Sequence, residues 1–268
     1  MIDPEINDFY EETSESDRLQ YGLGPLEFER NKELILRYIQ KNSSTIIDLG
    51  GGPGVYASWL ADLGHSVILI DPVKKHIEQA KKISKSQENQ FECLLGEASK
   101  IDCPDNSADL IILHGPLYHL QDAEDRQNAL RECHRKLKPG GLIMAWAITH
   151  TASTLVAMIQ GMLNTDEIYE MCIEELNSGI HEAPDSMPGV LAKAFYHRPG
   201  QLKEEIQEAD FLNISILPVE GLIWLDKNYF STRANPEDKK RMMALLEKTE
   251  TDPDLLALSP HIVAIASK

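Results

Sequence analysis

A glycine cluster and two acidic residues carry the clearest chemical signal in the chain. Gly50, Gly52 and Gly54 form G-x-G-x-G inside Ile46-Ile47-Asp48-Leu49-Gly50-Gly51-Gly52-Pro53-Gly54. Without β-carbons such a turn bends tightly and lets a ligand lie against its amides. Asp48 sets a carboxylate beneath the turn, suited to an ammonium group or to orienting the loop amides. Asp71 closes the next apolar run. A carboxylate at that place can accept hydrogen bonds from both hydroxyls of a ribose. Each residue also has a plainer reading. The glycines could form a bare structural turn, and Asp71 could cap a helix that Pro72 is suited to start. A dinucleotide site would need G-x-G-x-x-G, and Val55 stands where its third glycine belongs. A P-loop would need G-K-[ST], which is absent.

A second group is His114-Gly115-Pro116-Leu117-Tyr118-His119-Leu120. His119 has the chemistry of a general base near neutral pH, or of a histidine that packs behind a ligand and orients it. Tyr118 offers an aromatic face to a cationic group. Phe9-Tyr10, Arg18 and Glu29-Arg30 are candidates for a lid. There Arg18 or Arg30 would pair with a ligand carboxylate, the plainer reading being a solvated surface. His150-Thr151 and Tyr196-His197-Arg198 are acceptor-side candidates or packing residues.

These residues need rigid elements behind them. Thr45–Leu49, Ser66–Ile70, Phe91–Leu95, Leu110–Leu113 and Leu142–Ile148 read as strands. Val55–Leu63, Val73–Ser84 and a helix after Asp122, stopped by Lys138-Pro139-Gly140-Gly141, alternate with them. Such alternation with short turns implies a doubly wound, mostly parallel α/β sheet with ligands at the carboxyl ends of its strands. Ala152–Leu163 and Asp166–Leu176 read as two helices, Gln201–Glu208 as a helix, Phe211–Val219 as a strand, and Ser259–Ala266 as a closing strand. We therefore expect a single domain over 1–268. Within it lie an N-terminal helical lid at 1–44, a ligand-binding core at 45–150, an inserted helical cap at 151–198, and the C-terminal part of the sheet at 199–268.

The formal charge is −17, from 43 acidic and 26 basic residues. Nucleic-acid affinity rests largely on Lys and Arg neutralising phosphates, and no basic run exceeds the three of Lys239-Lys240-Arg241, so a nucleic-acid partner is disfavoured. Cys93, Cys103, Cys133 and Cys172 form no CxxC pair, which fits reduced thiols rather than a disulfide framework or zinc site, and no metal is expected. The acidic start MIDPEINDFYEE has no signal-peptide core, and no apolar run approaches a membrane span of about 20 residues. A cytoplasmic protein without a membrane partner is expected.

As a set, the glycine motif at 48–54, Ile70-Asp71, Gly96-Glu97-Ala98, Asp105-Asn106-Ser107-Ala108-Asp109-Leu110 and Leu137-Lys138-Pro139-Gly140-Gly141 resemble the class I S-adenosylmethionine-dependent methyltransferases, in particular their UbiE-like small-molecule branch. The resemblance spans about residues 45–148. It implies a seven-stranded Rossmann-like sheet, with S-adenosylmethionine as methyl donor and S-adenosylhomocysteine as product. By position it assigns Gly50, Gly51, Gly52, Gly54 and Asp48 to the methionine part, Asp71 and Pro72 to the ribose, and Ala98 and Glu97 to the adenine edge. Glu97 replaces the aspartate usual in the family. His114 would stand beside the donor's amino group, with Tyr10, Arg18, Tyr118, His119, His150 and Tyr196 on the acceptor side. The likeness of His114–Leu120 to the (D/N/S)PP(Y/F) motif of amino-group methylases is superficial, since Leu117 replaces the second proline and Gly115 the orienting acid or amide. The expected reaction is in-line displacement at the sulfonium methyl by O, N, S or C of a small acceptor. An RNA or tRNA methylase and a non-catalytic donor-binding protein are the alternatives. The sequence sets neither the acceptor nor the oligomeric state.

Overall fold

The structure is a computed structural model of the 268-residue chain, and it describes residues 6, 9–10, 18–39, 43–187 and 190–268. The remaining parts of the expected lid (1–5, 7–8, 11–17, 40–42) and of the expected cap (188–189) lie outside the described residues.

Helix α1 (Gly24–Tyr38) precedes an alternation of β1 (Thr45–Leu49), α2 (Val55–Asp62), β2 (Ser66–Asp71), α3 (Lys74–Ser86), β3 (Glu92–Leu95) and β4 (Ala108–Leu113). A single turn, α4 (Pro116–His119), then leads to α5 (Ala123–Lys136) and β5 (Leu137–Ile148). The sheet closes with β8 (Leu212–Pro218) and β9 (His261–Ser267). Its seven strands run β3-β2-β1-β4-β5-β9-β8, parallel from β1 to β5, with β9 antiparallel to both its neighbours. This is the doubly wound sheet that the alternation implied.

Strand periodicity sorts the core into two layers. Ile46, Leu110, Ile112, Met144 and Trp146 face α1, α2 and α3 on one side. Ile47, Leu49, Ile111, Leu113, Ile143 and Ala145 face α5 and the helix α8 (Pro199–Glu208) on the other. Because both faces are covered, β1 and β4 read as nearly unbroken apolar runs. The exception inside β1 is Asp48, which is fully buried.

The chain winds outward from β1 to β3 and then returns to β4 beside β1. Their carboxyl ends diverge there, opening the crevice in which ligands of such sheets bind.

Local sequence explains where elements stop. Asp122 caps α5 by accepting from the Glu124 amide at 2.8 Å, one position earlier than a capping box would place it. Helix α6 (Ala152–Gln160) ends at Gly161 in the left-handed conformation, short of Leu163. It packs on α7 (Asp166–Ser178) through Ala157, Ile168, Met171 and Cys172. A hairpin of β6 (Ile180–Glu182) and β7 (Lys193–Phe195) follows, which the sequence reading did not contain.

The stretch read as the C-terminal part of the sheet also carries two helices between β8 and β9. They are α9 (Tyr229–Ala234) and α10 (Pro236–Thr249). Trp224, Tyr229, Met242 and Leu246 bury against Leu26 of α1. The signal was present: Asn235 accepts from the Glu237 and Asp238 amides ahead of a proline start. No described helix is long and apolar enough to cross a membrane.

Candidate functional site

A cavity of about 640 Å³ opens at the carboxyl ends of β1, β2 and β4. The glycine turn forms one wall. Gly50 sits at φ +76°, and a β-carbon there would lie 2.0 Å from the His114 carbonyl oxygen and 2.8 Å from Pro116 Cδ. Only glycine lets the β1 turn close against the end of β4. Asp71 forms the next wall, 4% exposed. It accepts from the Gly52 amide at Oδ2 and the Val73 amide at Oδ1, both at 2.9 Å, so one carboxylate ties the turn to the start of α3.

Of the expected donor-binding residues, Gly50, Gly51, Asp71, Pro72 and Glu97, Ala98 and His114 line the cavity. Asp48, Gly52 and Gly54 do not. Gly52 turns its amide to Asp71, and Gly54 starts α2 against Phe91 and Ala80. Of the acceptor-side candidates, Tyr10, Arg18, Tyr118 and His119 line it, while His150 and Tyr196 are elsewhere. Beyond the end of β5, Thr149 bridges to His197, and Ile148 packs with Ala152 of α6 and Ala194 of the hairpin. There His150 faces Arg198 at 3.3 Å, and the Tyr196 ring stacks on His181 at 4.7 Å. Lys193 on β7 reaches the cavity instead. Arg30 is buried and ion-paired with Glu33 and Glu250, pinning α1 to the end of α10.

Asp48 is a buried acid under the turn. Among the described residues neither oxygen has a full hydrogen-bond partner, and burial, then the Asp71 charge, pushes its pKa up to about 7. The folded protein therefore holds a proton on Asp48 that the unfolded chain releases from about pH 4 upward, and stability falls as pH rises toward 7. Asp48→Asn is expected to raise the melting temperature at pH 8, with a gain that shrinks toward pH 4. Scanning calorimetry at both pH values tests this, and a gain independent of pH would refute the buried-acid assignment.

His114 is sandwiched between Tyr56, with ring centroids 4.7 Å apart, and Trp146 at 3.8 Å. Asn31 of α1 organises the stack. It accepts from Trp146 Nε1 at 2.9 Å, so its amide nitrogen faces Tyr56 Oη at 3.1 Å and His114 Nε2 at 3.4 Å. Burial takes the His114 pKa down to about 3 and keeps the ring neutral. Asn31 and Trp146 were missed because nothing local marks them. They meet across 115 residues.

Arg18 reaches the cavity while pairing with Glu27 at 2.6 and 2.9 Å. Burial alone would raise the Glu27 pKa, but Arg18 carries it down to about 2. Glu27, Glu220 and His261 bring their ligating atoms within 4.8 Å of one another. Its members already have partners, Glu27 in Arg18, and Glu220 in Ser259 and His261.

His119 Nε2 meets Tyr10 Oη at 2.8 Å. Burial lowers its pKa to about 4, against the Asp71 charge, which raises it, and with His76, which lowers it further. The Tyr10 ring lies edge-on to both His76 and His119, at 5.1 and 5.4 Å. Tyr10 thus spans from α3 to α4.

Comparison with known proteins agrees with this geometry. Residues 47–145 match the family model described as a methyltransferase domain. An uncharacterised methyltransferase of Schizosaccharomyces pombe is 30% identical over 118 residues, covering 41% of each chain. A protein named ubiquinone biosynthesis O-methyltransferase from Methylocella silvestris is 29% identical over 123 residues, covering 43% of this chain and 44% of that one. The matches thus span less than half of these curated relatives. A crystal structure described as a SAM-dependent methyltransferase from Methanosarcina mazei superposes with a TM-score of 0.59 at 19% identity, covering 88% of this chain and 96% of that one. It shares the fold.

Proposed function

We propose that this chain, which carries a class I S-adenosylmethionine-dependent methyltransferase domain, methylates a small-molecule acceptor. The observation that carries this reading is convergence: the glycine turn, Asp71 and the Glu97–Ala98 pair meet on one cavity of about 640 Å³, within the roughly 300–1,000 Å³ of small-ligand sites. The residues fit an adenosyl donor. Gly50 and Gly51 line the cavity, and a β-carbon at either would strike the protein behind the turn, Asp71 supplies a ribose acceptor, and Glu97 with Ala98 stands at the end of β3 for the adenine edge.

The donor, when bound, supplies a methyl group already activated by the sulfonium charge. The protein's part is to hold the acceptor in line and exclude water. Tyr10 and Tyr118 line the cavity, where an aromatic ring can attract a cationic centre, and Arg18 lines it while paired with Glu27. Asp122 and Asp125 share the lining with Lys193, and this mixed lining with a net charge of −17 favours a small acceptor over RNA. The ubiquinone-biosynthesis name of one relative points the same way.

His119 acts here by holding Tyr10 in place rather than as a strong base, since its ring stays neutral down to about pH 4. His119→Ala is expected to lower turnover about tenfold while donor affinity stays within twofold, as for loss of one positioning contact of about 1.4 kcal/mol. The wild-type rate should show no limb near pH 6.5 from this residue, whose ring has no proton to lose there. Donor consumption with amines, thiols, phenols and carboxylates, in wild type and variant, is the test. Tight donor binding without turnover on any acceptor would favour a binding protein, and turnover on tRNA alone would overturn the small-molecule reading.

A further inference from the structure

We infer that His76 completes the ribose site, as a second hydroxyl-reading residue beside Asp71. The inference rests on the reading that the cavity takes an adenosyl donor. Asp71 alone has too few free accepting directions for a vicinal diol. A carboxylate offers roughly four, and three are taken by the Gly52 amide, the Val73 amide and His76 Nδ1, the last at 3.1 Å. One remains, whereas a ribose presents two hydroxyls.

His76 supplies the missing partner. It lies on the first turn of α3, lines the cavity beside Asp71 and Pro72, and is 3% exposed. Because a carboxylate only accepts, its Nδ1 must carry the proton shared with Asp71 Oδ1. In the tautomer with the proton on Nδ1, Nε2 is an acceptor, and this buried nitrogen has no hydrogen-bond partner among the described residues. Leaving a buried polar atom unpaired is unfavourable, and a ligand hydroxyl at the Asp71 wall would satisfy it. Each ribose hydroxyl has one proton to donate, so one hydroxyl suits Nε2 and the other the last Asp71 lone pair.

The test measures binding of S-adenosylhomocysteine and its 2′-deoxy and 3′-deoxy counterparts to the full chain by calorimetry. His76→Asn keeps an amide donor for Asp71 and removes the far ring nitrogen. It is expected to weaken S-adenosylhomocysteine about five- to tenfold and to leave one deoxy counterpart unaffected. His76→Gln, which returns a polar atom near the Nε2 position, should recover part of the loss. Equal affinity of His76→Asn and wild type, or an equal loss with all three ligands, would overturn the inference and leave His76 a support for Asp71. If His76→Asn does not fold, wild type decides. Fivefold or greater weakening on removing either hydroxyl supports the site, and indifference to one of them overturns it. A wild type that binds none of the three ligands sinks the adenosyl reading itself, a result distinct from the others.

Discussion

Asp71→Ala is expected to weaken binding of S-adenosylhomocysteine by well over tenfold, a loss above about 1.4 kcal/mol. The effect exceeds that of one ligand contact because the carboxylate also holds the protein side of the site. It binds the Gly52 amide of the turn, the Val73 amide that starts α3, and His76. Removing it orphans these buried donors, each worth about 1–3 kcal/mol when left unpaired. The turn and the helix start should loosen together, so the melting temperature falls as affinity does. Calorimetry with the spent donor measures the first and thermal unfolding the second. Unchanged affinity would refute the role of Asp71 in holding the ligand.

Gly50→Ala should be the more damaging change to the turn. A β-carbon at φ +76° is strained by about 1–2 kcal/mol, and here it would also lie 2.0 Å from a main-chain oxygen, that of His114. Backbone cannot rotate aside as a flexible side chain can. Either the β1 turn or the end of β4 must move, and both are walls of the cavity. Loss of measurable donor binding and a large drop in melting temperature are expected. Gly64→Ala is the control. It has a comparable φ of +91°, but a β-carbon there meets nothing within 4 Å, and it lies at the opposite end of α2 from the turn. It should lose only about the strain energy and bind the donor normally. Similar behaviour of the two variants would show that the contact between turn and β4 does not shape the site.

The two changes illustrate how the site is built. The ligand-facing surface is largely main chain, held in place by a carboxylate on one side and by steric contact on the other. Side chains with chemistry of their own stand on the rim. Their protonation is governed by burial more than by partners: His114 and His119 are held neutral by desolvation, while Asp48 beneath the turn is pushed toward the protonated form. Glu27, where Arg18 outweighs the cost of burial, is held firmly ionised.

Much of this was legible from residue order alone, for a physical reason. A buried parallel strand must be apolar on both faces, its turn must be glycine where φ is positive, and its ligand contacts fall within a few residues of its carboxyl end. All three signals are local, and together they placed β1 to β5, the glycine turn, Asp71 and the Glu97–Ala98 pair in the order in which they line the cavity. The helices at 229–249 were equally local in origin, with Asn235-Pro236 as a start signal. They went unread because nothing chemical drew attention to them.

What only the tertiary structure decided is which polar residues share a space. His150 and Tyr196 follow or face the end of β5, yet neither lines the cavity: His150 faces Arg198 and Tyr196 stacks on His181. Asn31 and Trp146 join across 115 residues to orient His114, and Tyr10 reaches across 109 residues to His119. Hydropathy and turn geometry act between neighbours along the chain and so leave a mark in the residue order. Hydrogen bonds between distant segments depend on how helices stack on the sheet, and they exist only once the core has formed.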